Sequence, residues 1–277
     1  MARKVWFITG VSRGLGLALA QTALAAGHMV IGTTRDGVAP EGLSGPRLNI
    51  LALEATDLEG VALVVNQAHA LHGRLDVVVN NAGYGLIGPI EAASAQEIER
   101  QFTVNVFAPL AVLRAALPHM RARGRGHILN ISSVAAIAPA PGAGLYAASK
   151  SALWALTQSL AQEAAPFGIW TTTVSPGPFR TDFLSDHSMR RTAATIPAYE
   201  ASASGQATQA LMARAGVQAG DPAKAARAIL EIVEADEPPV DLLLGAAALT
   251  RARARLDRFD EDAARWEVLT RAADFTD

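Results

Sequence analysis

Short apolar runs that end in a polar or glycine turn recur along this chain, with helix-patterned segments between them. That alternation restricts the possible folds more than any other feature of the sequence. Val5–Ile8 runs into Thr9 and Gly10, and Leu75–Asn80 runs into Asn81-Ala82-Gly83. His127–Ile131 meets Ser132 and Ser133, and Ile169–Val174 meets Ser175-Pro176-Gly177. Leu75-Asp-Val-Val-Val-Asn80 is almost continuously apolar, as a strand covered on both faces must be. Met29–Thr34, Leu48–Glu54 and Val240–Leu244 bring the set to about seven strands. Between them, Leu17, Ala20 and Leu24 keep helical spacing, as do Val61–Leu71, segments near 94–106 and 108–122, and Leu153, Leu156 and Leu160. Strands alternating with helices predict a parallel sheet with right-handed crossovers and helices on both faces. No repeat or linker divides the chain, so residues 1–277 read as a single domain.

In an open parallel sheet, ligands bind beyond the carboxyl ends of the strands. The polar turns named above all fall on that edge. After the first strand comes Thr9-Gly-Val-Ser-Arg-Gly-Leu-Gly16. Glycines there let backbone approach a ligand, and the following helix offers free N–H groups and a positive dipole end to a phosphate. The spacing is Gly-x-x-x-Gly-x-Gly, not the Gly-x-Gly-x-x-Gly of the usual dinucleotide fingerprint.

Tyr146 and Lys150 are four residues apart at the start of a helical segment, so both stand on one face. A phenol ordinarily titrates near pH ~10, and a neighbouring ammonium favours its ionised form. Bringing it to pH 7 takes about 4 kcal/mol of differential stabilisation, of which one ammonium supplies a part. Taken alone, the pair also fits a solvated helix surface. Composition narrows the chemistry further. The net charge is −2, which gives no electrostatic case for nucleic acid or an anionic membrane. Without cysteine, disulfide and thiolate chemistry are excluded. The six histidines form no cluster with ligand spacing, which predicts no metal. No apolar run approaches the ~18 residues of a membrane span, and the N-terminus lacks a signal-peptide pattern; a cytoplasmic protein is expected.

With four motifs in order, Thr-Gly-x-x-x-Gly-x-Gly (9–16), Asn-Asn-Ala-Gly (80–83), Tyr-x-x-x-Lys (146–150) and Pro-Gly (176–177), the chain resembles the short-chain dehydrogenase/reductase family from Val5 to about Leu244. The resemblance implies an α/β fold, a Rossmann-type doubly wound parallel sheet, and hydride transfer between a nicotinamide cofactor and a carbonyl or alcohol. It implies that Tyr146 is the general acid/base, that Ser133 hydrogen-bonds the substrate oxygen with Ser132 as the fallback, and that Lys150 lowers the Tyr146 pKa and holds the nicotinamide ribose. Asn105 would anchor a water relay, though a helix-interior asparagine satisfied by backbone is the other reading. The expected cofactor contacts are Gly10, Ser12, Arg13, Gly14, Leu15 and Gly16 on the glycine turn. Others are Thr34, Arg35, Asp57, Leu58, Asn81, Ala82, Gly83, Pro176, Gly177 and Thr181. Asp57 reads equally as a helix N-cap. After Ser133 the chain has Val-Ala-Ala136 where many relatives place a glycine.

NADP(H) is expected over NAD(H), with NAD(H) still possible. The second strand ends at Thr34-Arg35 without the carboxylate that binds a free ribose 2′-OH, and a guanidinium suits a 2′-phosphate. Asp36 is the counter-candidate if the strand slips by two residues. Residues 182–221, irregular and rich in small polar side chains, read as a substrate lid in which Phe183, Met189, Ile196 and Tyr199 either face the substrate or simply pack. The tail at 246–277 reads as an amphipathic helical extension through Leu249, Ala252, Leu256, Phe259, Ala263 and Trp266. Its Arg251, Arg253, Arg255 and Arg258 interleave with acids, as on a solvated face. Ala147, Ala148, Ser151, Ala152 and Ala155 make the Tyr146 helix small-surfaced, and the resemblance implies a homodimer or homotetramer through it. The expected partner is a small carbonyl or alcohol substrate. An isomerase or dehydratase on the same scaffold, or a non-catalytic NADP(H) sensor, remain the alternative functions.

Overall fold

The computed structural model describes residues 2–185 and 187–275. Of the expected domain, lid and tail segments, residues 1, 186, 276 and 277 lie outside the described residues. The strands among the described residues are β1 (Val5–Ile8), β2 (Met29–Thr34), β3 (Leu48–Ala52), β4 (Val77–Asn80), β5 (Gly85–Ile87), β6 (Gly126–Ile131), β7 (Ile169–Pro176), β8 (Met189–Arg191) and β9 (Asp241–Leu244). Seven form one sheet in the order β3-β2-β1-β4-β6-β7-β9, and every pairing in it is parallel. The order reverses between β1 and β4, where a doubly wound sheet opens its ligand crevice.

The helices are α1 (Gly14–Ala25), α2 (Leu58–His72), α3 (Ala95–Phe102), α4 (Ala108–Arg123), α5 (Gly144–Ala164), α6 (Ala203–Met212), α7 (Pro222–Glu234) and α8 (Ala246–Arg271). Alternation along β1 sorts them into layers. Val5 and Phe7 pack with Val61, Val65, Val112 and Leu160 of α2, α4 and α5. Trp6 and Ile8 pack on the other face with Leu19, Ala23, Ile229 and Val233 of α1 and α7. All four β1 side chains are buried, so each contributes about 1.5–3 kcal/mol from apolar area removed from water.

Helix α7 was not anticipated as an element, yet its signals are in the sequence. Asp221 accepts from the N–H groups of Ala223 and Lys224, Pro222 takes the first helical position, and Ala225, Ala226, Ile229 and Val233 are buried at helical spacing. Helices α3 and α4, expected as separate segments, are joined through a π-helical turn at Thr103–Phe107 into one helix of 29 residues, Ala95–Arg123. By length and composition this helix is able to cross a membrane, against the expectation drawn from uninterrupted apolar runs. Here Val112, Leu113, Ala116 and Met120 are buried in the core against the sheet and α2.

The expected irregular lid carries more regular structure than its composition suggests. Two short 3₁₀ turns (Asp182–Leu184 and Pro197–Tyr199), β8 and α6 fall within it. The tail is helical as expected. Ala248 and Ala252 are buried where α8 meets β9 and the 3₁₀ turn at Val134–Ala136, and the helix is exposed from Arg253 onward.

Candidate active site

A cavity of about 450 Å³ opens at the carboxyl ends of β1, β4, β6 and β7. Its first wall is the glycine turn. Gly10 (φ 71°) and Gly14 (φ 61°) hold left-handed backbone that a side chain would disfavour. At Gly16 the constraint is space: a Cβ would lie 2.3 Å from the Gly10 carbonyl oxygen and 2.4 Å from Asn81 Nδ2. No side chain caps the first turn of α1, where Gly14, Leu15 and Gly16 line the cavity.

The turn after β4 clamps this wall in place. Asn81 Nδ2 donates to the carbonyls of Thr9 and Gly10, both at 2.9 Å. Thr9 Oγ1 in turn accepts from the N–H groups of Asn81 and Ala82, both at 3.0 Å. The asparagine of Asn80-Asn-Ala-Gly83 thus ties two strand ends together with its side chain.

The opposite wall is built from the β6 end and α5. Ser133 begins the 3₁₀ turn, its Oγ accepting from Ala135 N–H at 3.1 Å, and it lines the cavity together with Tyr146. Ser132 Oγ donates to the backbone carbonyl of Lys150 at 2.9 Å and is buried, which makes it a fastener between β6 and α5. Lys150 Nζ donates to the Ile131 carbonyl at 2.8 Å. A Cβ on Gly83 would sit 3.2 Å from that ammonium and 3.1 Å from Asn105 Oδ1, so the absence of a side chain there keeps room for both.

Burial sets the titration of this pair. It pushes the Tyr146 phenol up to about 12, opposed to a lesser degree by the nearby Ser133 hydroxyl, and pushes the Lys150 ammonium down to about 8. The sequence reading had Lys150 drawing the phenol down. In the folded chain desolvation outweighs every other influence on both groups.

Of the predicted site residues, the structure brings nearly all to this cavity. Gly10 and residues 12–16, Thr34 and Arg35, residues 81–83, Ser133, Tyr146, Lys150, Pro176, Gly177 and Thr181 line it. Three stand apart from the lining. Asn105 is fully buried behind it, in the π-helical turn, with Oδ1 accepting from Tyr84 N–H at 3.1 Å and Nδ2 donating to Tyr84 O and Ser149 Oγ. Asp57 caps α2, accepting from Gly60 N–H at 3.0 Å, and both it and Leu58 are exposed. Asp36 is also engaged locally: β2 ends at Thr34, and the Asp36 carboxylate accepts from Thr34 Oγ1 and Val38 N–H. Arg13, on the cavity wall, donates to Ser188 Oγ and the His187 carbonyl.

Sequence reasoning missed most of the apolar wall. Phe183 and Met189 line the cavity as one of their two readings allowed, whereas Ile196 and Tyr199 do not, and the Tyr199 hydroxyl donates to Glu91. Tyr84, Ile87, Leu184 and Leu211 join them, together with Arg100, Arg190, Arg214 and Arg251. The pairing of β5 with β8 carries Ile87 and Met189 to the same place. Two three-residue strands about a hundred residues apart leave no local signal of their pairing.

The family of short chain dehydrogenases matches residues 4–192. An oxidoreductase of Botryotinia fuckeliana, BOA17, is 35% identical over 98% of this chain and 99% of its own length. Among solved structures, a short-chain dehydrogenase from Streptomyces avermitilis superposes with a TM-score of 0.91 at 38% identity, covering 98% of this chain and all of the other. A short chain dehydrogenase from Burkholderia cenocepacia, solved in complex with NADP, gives a TM-score of 0.72 at 25% identity over 95% of this chain and 97% of that one. With motifs, sheet order, cavity and relatives in agreement, the chain belongs to the short-chain dehydrogenase/reductase family of oxidoreductases.

Proposed function

We propose that this protein transfers hydride between NADP(H) and a small carbonyl or secondary-alcohol substrate, with Tyr146 exchanging the proton. The observation that carries this reading is the meeting of Ser133, Tyr146 and Lys150 in one cavity whose far wall is the turn holding Gly10, Gly14 and Gly16. The residues suit the cofactor: a Cβ at Gly16 would close the turn, and Arg35 lines the cavity while Asp36 is held in its own loop. NADP in the Burkholderia cenocepacia relative supports the choice of cofactor. The glycine turn and the start of α1 would hold the pyrophosphate, Arg35 the 2′-phosphate, Lys150 the nicotinamide ribose, and Thr181 and the Pro176-Gly177 backbone the nicotinamide end. When bound, NADPH supplies the hydride.

The protein's part is to place and move one proton. Burial keeps the Tyr146 phenol protonated across the neutral range, so it stands as a donor toward a carbonyl oxygen. The Ser133 hydroxyl, on the same cavity wall as the phenol, is placed to hydrogen-bond the same oxygen as charge develops there. The Lys150 ammonium, one helical turn away, adds positive charge on the side where the phenolate forms and is itself held by Ile131 O. Asn105 fixes the Tyr84 backbone beside Gly83 and so holds the cavity floor in register. In the oxidative direction the same groups act in reverse.

A homodimer or homotetramer through α5 belongs to this reading. Ala148 and Ala155 are exposed on that helix, whereas Ala147 packs within the chain. A solution mass near the 28.9 kDa of one chain counts against it.

The test is NADPH consumption against a broad carbonyl panel, with wild type and Tyr146→Phe. Wild type turns over, and the variant loses a factor of about 10²–10⁴ in kcat while its NADPH affinity stays within a few-fold. Bound NADPH without turnover of any carbonyl would favour a sensor, or an isomerase or dehydratase that retains its cofactor.

A further inference from the structure

The charge lining the cavity is lopsided. Six arginines and Lys150 face it, against one carboxylate, Glu54. Against its burial, hydrogen bonds from Thr56 hold the Glu54 carboxyl below the usual range, with a further contribution from the nearby charges of Arg100 and Arg35. Arg190 lies over the Tyr84 ring, 5.9 Å from its centroid, and Arg13 is committed to His187 and Ser188. Arg214 and Arg251 remain, the second with one donor on a backbone carbonyl. Among the described residues neither forms an ion pair with an acidic side chain.

Separate elements bring these two together. Arg214 follows α6, and Arg251 is on the first turns of α8. Arg251 Nη2 donates to the Ala138 carbonyl, in the loop that continues from Ser133, so that guanidinium is fixed in place. Both line the same cavity, and partial burial, with the Arg214 charge as a second contribution, disfavours the charged form of Arg251. Like charges placed side by side are unfavourable unless something between them compensates.

Their position is on the Tyr146 side of the cavity. Leu211, three residues before Arg214, packs against the cluster of Ile87, Leu184 and Met189, as does Phe183. Phe183 in turn stands against the Tyr146 ring, 5.8 Å between centroids. An apolar wall thus runs from the phenol toward the two arginines. A planar guanidinium pair matches an oxyanion with paired donors.

We infer that Arg214 and Arg251 bind an oxyanion of the substrate, so that the preferred carbonyl or alcohol carries a carboxylate or phosphate at the far end of an apolar segment. The inference rests on the proposed oxidoreductase reading for the identity of the reacting group, and on the cavity alone for the anion.

Calorimetry with the NADPH-loaded protein separates the two. Octanoate, octyl phosphate and octanol share one apolar chain and differ only in the head group, and none is a carbonyl that NADPH reduces readily. Wild type is expected to bind at least one of the two anions about tenfold or more tightly than octanol, equivalent to about 1.4 kcal/mol. Whichever anion wins identifies the head group. In Arg214→Gln and in Arg251→Gln the anion-to-octanol ratio falls toward one, while Arg214→Lys and Arg251→Lys retain part of it. Taking the ratio within each variant removes any general loss of folded protein. Equal affinity for all three probes in wild type, or a ratio that survives both glutamine variants, overturns the inference. Failure of NADPH itself to bind would instead strike the proposed function, and the same probes with the unloaded protein would still read the arginine pair.

Discussion

Tyr146 and Lys150 sit one turn apart on α5 but are held by different surroundings: the phenol ring packs with Ala135 and Phe183, and the ammonium donates to the Ile131 carbonyl. The two groups are therefore fixed independently, and burial drives their titrations in directions that both favour the neutral form.

The consequence for stability has a definite sign. Lys150 titrates near 8 in the folded cofactor-free chain against its ordinary 10.5, so between those values the unfolded chain holds more protons. Stability then rises with pH from about 8, and the burial penalty is fully present below that. Tyr146, raised from 10 to about 12, acts oppositely: its contribution is lost as pH climbs from 10 to 12. Between pH ~8 and ~10 Lys150 acts alone. Relative to Lys150→Met, cofactor-free wild type should gain on the order of 3 kcal/mol over that window. Denaturant titrations at the two pH values measure it, and a flat difference refutes the assignment.

The neighbouring serines should separate cleanly. Ser132→Ala leaves the Lys150 carbonyl without its buried donor and is expected to lose about 1–3 kcal/mol of stability, with kcat within a few-fold of wild type. Ser133→Ala is expected to melt near wild type and to lose about 10²-fold or more in kcat. Thermal melts and initial rates on both proteins check this, and swapped phenotypes would make Ser132 the working hydroxyl.

Gly16→Ala places a methyl 2.3 Å from the Gly10 carbonyl and 2.4 Å from Asn81 Nδ2. Backbone on one side leaves little room to relax, so about 1–3 kcal/mol of stability should be lost. NADPH affinity should fall as well, because the turn that must open is the one proposed to hold the pyrophosphate. An unchanged melting temperature would mean that the turn is softer than its hydrogen bonds suggest.

For Arg35→Ala the expected change is in cofactor choice. A charge-assisted hydrogen bond is worth about 1.5–3 kcal/mol, so wild type should prefer NADP by tenfold or more in kcat/KM, and the variant should lose most of that preference. Comparable values for NADP and NAD in wild type would remove the basis for the assignment.

Much of this was readable in the chain itself, and the exceptions share a cause. The central strands, the glycine turn and the Tyr146 helix are written in contiguous residues whose spacing is their structure. Asp57 and Asp36 were harder, because a carboxylate beside a helix start or a turn serves local N–H groups as readily as a ligand. The Tyr146 pKa was misjudged in direction because desolvation depends on what covers the ring, including Phe183 and Ala135, which only the fold reveals. The apolar wall was out of reach for the same reason: Ile87 and Met189 meet only when β5 and β8 pair.

The position of β1 in the middle of the sheet also fixes an order of events in time. Its first neighbour, β2, follows closely in sequence, but its second, β4, must wait until Val77 can reach Trp6, and the serine, tyrosine and lysine come later still. Each added parallel pairing closes a long loop before it is rewarded, which slows assembly. During synthesis the glycine turn therefore exists as a half-walled shelf until β6 and α5 have emerged. A nascent chain arrested before Lys150 should not retain nicotinamide nucleotide, however well its first strands have formed.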